Sequence, residues 1–146
     1  MAGLIAYIDS SVLLRVVLRA PGQLAEWDLI GPGLSSELLG VEVRRTLDRL
    51  WLQNVLTDDQ FGEKADEADA ILQRIGLAPL DPRVLERACQ PFPTPLATLD
   101  ALHLTTAILL RAQQPADEET IVFATHDREL AIAAHAMNFE VIGVPA

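Results

Sequence analysis

Two short apolar runs, Leu4–Ile8 (LIAYI) and Thr120–Ala124 (TIVFA), each lead within three residues into an aspartate and then into helical spacing. A run of about five residues is strand length rather than helix length, and a helix behind each strand is the pattern of parallel strands joined by crossovers. That alternation continues along the chain. SSVLLRVVLRAPG reads as a helix stopped at Pro21-Gly22, and Gln23–Ile30 as a further helical turn or two before Gly31-Pro32-Gly33 breaks the chain. Leu34-Ser35 fits a very short second strand. Ser35 or Ser36 then caps a long helix through about Asn54, with Leu39, Val43, Leu47 and Leu50 as its apolar stripe.

Thr57 and Gln60 form a capping box for a helix that ends at Gly76, and its acidic residues between Asp58 and Asp69 read as a solvated face. Leu77–Leu80 fits a third strand, and Asp81-Pro82 opens another helix with proline in its first turn. Three prolines between Gln90 and Thr98 force an extended loop, followed by a helix from about Leu99 to Gln113. After the fourth strand, Thr120–Ala124, come a helix over Asp127–Met137 and a last strand over Glu140–Val144. The fold class is therefore α/β: a parallel sheet of about five strands, flanked by helices on both faces, in a single domain over 1–146.

In such sheets ligands bind outside the carboxyl ends of the strands. Asp9 and Asp127 fall there, both expected off the core. Asp100 stands in the first turn of the apolar helix ALHLTTAILL, and Glu42 lies beside the apolar stripe of its own helix, able to point inward. Four carboxylates meeting in one cleft repel one another unless a cation neutralises them. Oxygen-only ligands favour Mg²⁺ or Mn²⁺, which can activate water and stabilise the leaving oxygen in attack on a phosphodiester.

The formal charge of −10 excludes a broad basic surface that coats a nucleic-acid backbone. Ten of the 11 basic residues are arginine, and Arg15, Arg45 and Arg49 are placed to steer phosphates toward the cleft. The single cysteine, Cys89, permits no internal disulfide and no cysteine zinc site. Charged residues interrupt every hydrophobic stretch long enough to span a membrane, and Leu4–Ile8 lacks the basic flank of a signal peptide, so a cytoplasmic protein with no membrane partner is expected.

Other chemistries fit less well. Ser10 or Ser11 with His126 and Asp127 supplies the residue types of a hydrolase triad, but there is no nucleophile elbow. His103, one turn from Asp100, reads as a helix-surface histidine. A receiver domain needs a lysine at a late strand end, and the sole lysine, Lys64, lies in the acidic helix.

YIDSSVLLR, SSELLGVEVRRTLDRL, PTPLATLDALHLTTA and FATHDREL, in that order and spacing, resemble a PIN-domain ribonuclease. More narrowly they are similar to the toxin of a VapBC-type toxin–antitoxin pair. The resemblance covers essentially the whole chain. It implies a PIN fold, Mg²⁺- or Mn²⁺-dependent endonucleolytic cleavage of RNA, a VapB-type antitoxin as partner and a homodimer. Residue by residue, it implies an acidic quartet of Asp9, Glu42, Asp100 and Asp127, with Ser11 and Thr125 as supporting hydroxyls. Two alternatives stand beside it: a PIN-like module that binds RNA or protein without cutting, and a metal-dependent phosphatase.

Overall fold

The computed structural model describes residues 3–145. Five parallel strands form one sheet in the order β3-β2-β1-β4-β5: β1 (Leu4–Ile8), β2 (Ile30–Ser36), β3 (Ile75–Ala78), β4 (Val122–Ala124) and β5 (Val141–Ile142). Among the described residues six α-helices connect them: α1 (Ser10–Val17), α2 (Leu38–Leu52), α3 (Asp58–Leu72), α4 (Pro82–Ala88), α5 (Thr98–Ala112) and α6 (Arg128–Ala136). The chain builds outward from β1 to β2 and β3, then returns to place β4 on the other side of β1. This order makes the β1/β4 boundary the point where the winding reverses, the crevice that binds ligands in open α/β sheets.

Alternation along the central strands divides the core in two. Ala6 and Ile8 of β1, with Val122 and Ala124 of β4, face Val12 and Val17 of α1, Leu39, Val43 and Leu47 of α2, and Ala68 of α3. Tyr7 and Phe123, between those residues in sequence, point the other way, onto Leu104 and Ala107 of α5 and Leu130, Ala133 and Ala134 of α6. A period of two in the strands thus meets a period of 3.6 in the helices, and both sheet faces are covered. No helix among the described residues is long and apolar enough to cross a membrane.

The differences from the expected boundaries have local causes. Gly31-Pro32-Gly33 does not break the chain; it lies inside a seven-residue β2 rather than before a two-residue strand. Leu4 pairs with Ile30 and Ala6 with Gly33, so β2 carries one residue more than β1 across this step, a bulge. Proline lacks the N–H that a regular ladder requires, and a bulge is where a strand tolerates it. Over Gln23–Ile30 only a 3₁₀ turn forms, Trp27–Leu29. Gly76 is not the end of α3 but lies within β3, which begins at Ile75, two residues ahead of the expected strand. Neither Ser35 nor Ser36 is the N-cap residue of α2; Glu37 is, although the Ser36 hydroxyl does accept from Leu38 N at 3.1 Å. β1 spans Leu4–Ile8 as expected and α5 begins and ends one residue early, whereas β4, α6 and β5 are shorter than expected by one or two residues at an end, where helices fray and ladders stop.

Gly143, after β5, adopts φ +104°, and a Cβ there would collide with the Thr125 carbonyl oxygen. Only glycine fits that backbone. Its carbonyl accepts from or faces His126 Nδ1 at 2.8 Å, tying the end of the chain to the loop that carries Thr125 and Asp127.

Candidate active site at the carboxyl ends of the central strands

Asp9 follows the last residue of β1 and serves as the N-cap of α1, accepting from Val12 N at 3.3 Å. It is expected off the core but is buried, 4% exposed. Desolvating a carboxyl group is costly unless it is hydrogen-bonded, and two hydroxyls meet that need. Ser11 Oγ donates to Oδ1 at 2.6 Å, and Thr125 Oγ1, from the end of β4, donates to Oδ2 at 2.6 Å. The same hydroxyls accept in turn from His126 N and Asp127 N, each at 3.0 Å. Two hydroxyl bridges therefore stitch the ends of β1 and β4 together with Asp9 between them. Burial pushes the Asp9 carboxyl up, opposed by the bonds from Ser11 and Thr125.

Asp127 caps α6 through a bond from Leu130 N at 3.1 Å and is exposed. Asp100 stands in the first turn of α5, half-buried. Its carboxyl is pushed up to about 6, first by burial and then by the negative charges of Asp127 and Asp9, with Glu42 adding and His103 opposing. The field at Asp100 thus contains the other three expected acids. Glu42, on α2, is 16% exposed and bonds through Oε1 to His103 Nε2. Glu37, five residues before Glu42, is tied to the segment after β3, accepting from Leu80 N at 2.8 Å.

Among the described residues no three His, Cys, Asp or Glu side chains form a cage close enough to hold an ion as they lie. Asp9, Asp127 and Glu42 are each hydrogen-bonded to a protein group instead. The donor set still fits a hard divalent ion. It is all oxygen, and magnesium commonly takes one or two carboxylates directly and keeps waters for the rest of its shell.

The arginines are less committed to the cleft. Arg15 Nη1 donates to Gly22 O at 3.0 Å, Arg45 pairs with Asp48 at 3.1 Å, and Arg45 and Arg49 are exposed on the helix that carries Glu42. His103 is the residue that sequence reasoning places wrongly. It is not on a helix surface but 1% exposed, because α5 is buried on nearly every side from Ala101 to Ala107. The signal was the absence of any Asp, Glu, Lys or Arg from ALHLTTAILL, which leaves a histidine no wet face.

The raised carboxyls predict how stability depends on pH without metal. Folded Asp100 holds its proton up to about pH 6, whereas the unfolded chain releases it near 3.8, so the folded state binds more protons in between. The contribution of Asp100 to stability is full below about pH 4 and is lost as the pH rises through about 6. The difference corresponds to roughly 3 kcal/mol, reduced to about 1 kcal/mol because Asp100 is half exposed and screened by solvent. Asp9 shifts in the same direction. Thermal melts in chelator between pH 4 and 7 check this; a stability that rises over that window contradicts it.

No curated protein matches the chain. The model of the PIN domain family matches residues 6–136, which spans the sheet from β1 through α6 and every acid described above. The chain belongs to the PIN-domain family, whose nuclease-type fold commonly serves metal-dependent ribonucleases.

Proposed function

We propose that the chain is a Mg²⁺- or Mn²⁺-dependent endoribonuclease and the toxin of a type II, VapBC-like toxin–antitoxin pair, acting in the cytoplasm as a homodimer held in check by a VapB-type antitoxin. The observation that carries the nuclease reading is Asp9: a buried carboxylate at the winding reversal of a PIN fold, locked by hydroxyls from two strands, with Asp100 within reach of its charge. The toxin reading rests on the similarity of YIDSSVLLR, TLDALHLTTA and FATHDREL to that branch of the family.

Asp9, Asp100, Asp127 and Glu42 would hold the ion, which when bound supplies charge neutralisation and activation of water for in-line attack on a phosphodiester. Ser11 and Thr125 hold both oxygens of Asp9 in one orientation, so the carboxylate is in place before substrate arrives. Asp127 and the exposed half of Asp100 form the open side, where an RNA backbone can approach. Arg15, Arg45 and Arg49 draw phosphates toward that side against a net charge of −10, and a second copy of the chain completes the groove.

Sequencing RNA 5′ ends after induced expression tests this. New ends at defined positions are expected with the wild-type chain and none with Asp9→Asn. The same ends from both chains, or turnover of a chromogenic phosphomonoester in place of RNA, would reject it. Growth arrest relieved by the product of an adjacent small reading frame is the expected sign of the antitoxin.

A further inference from the structure

Tyr7, His103 and Glu42 form a buried polar chain that runs from the central strand to the acidic cleft. Tyr7 is fully buried in the middle of β1, with its ring stacked on Phe123 at 5.2 Å and edge-on to His103 at 5.8 Å. Its hydroxyl lies 2.7 Å from His103 Nδ1, and the far nitrogen, Nε2, bonds to Glu42 Oε1. Three elements that are distant in sequence, β1, α5 and α2, are joined by this one line of side chains.

Packing alone does not account for it. Two polar groups inside a core cost free energy unless both are paired, and an apolar pair of similar volume fills the same space more simply. With its proton on Nε2, the imidazole donates to the Glu42 carboxylate and accepts the Tyr7 hydroxyl proton at Nδ1, so all three groups are satisfied by one tautomer. The consequence falls on Glu42. It has the longest side chain of the acidic quartet and therefore the most rotamers to lose, and it sits on α2. Fixing Oε1 leaves Oε2 as the oxygen free to ligate.

We propose that His103, oriented by Tyr7, is a positioning residue that sets the Glu42 carboxylate for divalent-ion binding. This rests on the reading of Glu42 as part of an ion site. Hydrogen bonds to ligating side chains matter to affinity, and their removal commonly weakens metal binding by about 10- to 100-fold.

Mn²⁺ titration by calorimetry on the full chain, with thermal melts in parallel, is the test. His103→Leu keeps the volume and removes both bonds; it is expected to weaken Mn²⁺ binding by about 10-fold or more, with His103→Gln, which keeps a donor, recovering most of the loss. Tyr7→Phe, which keeps the stacked ring, is expected to give a smaller loss. In a Glu42→Gln background His103→Leu should add nothing, because its effect passes through Glu42. Wild-type affinity in His103→Leu together with a lower melting temperature overturns the proposal, as does a full additional loss in the Glu42→Gln background. If His103→Leu does not fold, wild-type affinity in Tyr7→Phe overturns it equally. A wild-type chain that binds no Mn²⁺ defeats the ion site itself and this inference with it, a result distinct from binding that His103 does not influence.

Discussion

Asp100→Asn is expected to slow metal-dependent RNA cleavage by at least about 100-fold, the kinetic equivalent of roughly 3 kcal/mol of the several that a bound ion supplies. The same change should not destabilise the metal-free chain at pH 7. Asp100 accepts no hydrogen bond from a protein donor among the described residues, and its carboxyl is pushed up to about 6 by burial and by Asp127 and Asp9. An amide of the same shape removes that repulsion and gives up only the favourable placement of a charge in the first turn of α5, worth about 0.3–1 kcal/mol. Activity and stability therefore move in opposite directions. Single-turnover cleavage and melts of the same preparation read both, and wild-type cleavage by the purified variant would remove Asp100 from the site.

Phe123→Ala is expected to cost about 3–5 kcal/mol, the largest stability loss of any single truncation considered. The ring has no exposed surface, stacks on Tyr7 at 5.2 Å and meets Phe139 at 5.7 Å with a 59° tilt. Its loss leaves a cavity in the core between the sheet and helices α5 and α6. Urea unfolding should show a lower midpoint with an unchanged slope. A loss below about 1 kcal/mol would mean that this face of the sheet is not packed as described.

How far the sequence carries can be argued from particular residues. LIAYI and TIVFA are legible because a buried parallel strand has to be apolar on both faces, and the helices follow from spacing and end signals: Thr57 and Gln60 form the expected capping box of α3, and Pro82 stands in the first turn of α4. Only the Leu34-Ser35 end of β2 was legible, because Gly31-Pro32-Gly33 has the composition of a break and only pairing with β1 turns it into a bulge. β3 was misplaced for a related reason, since a glycine read as a helix stop is equally at home in a strand.

At the candidate site, the strand ends pointed to Asp9 and Asp127 and the family resemblance added Ser11 and Thr125; the structure joins Asp9, Ser11, Thr125 and the Asp127 backbone N–H in one hydrogen-bonded network. The burial of Asp9 could not be read, because it depends on a hydroxyl 116 residues away. His103 was read as a surface histidine because its partners, Tyr7 and Glu42, lie on two other elements. Long-range pairing of polar side chains leaves no periodic trace, whereas apolar burial does.

The central claim is that acids from the end of β1, α2, α5 and the start of α6 share one divalent-ion site. Crystals grown or soaked in Mn²⁺ and measured at the manganese absorption edge test it most directly. A single anomalous peak, or a close pair, is expected beside the carboxylates of Asp9 and Asp100, with Asp127 and Glu42 turned toward it directly or through water. Full manganese occupancy elsewhere on the surface, with no peak beside Asp9 and Asp100, would contradict the account.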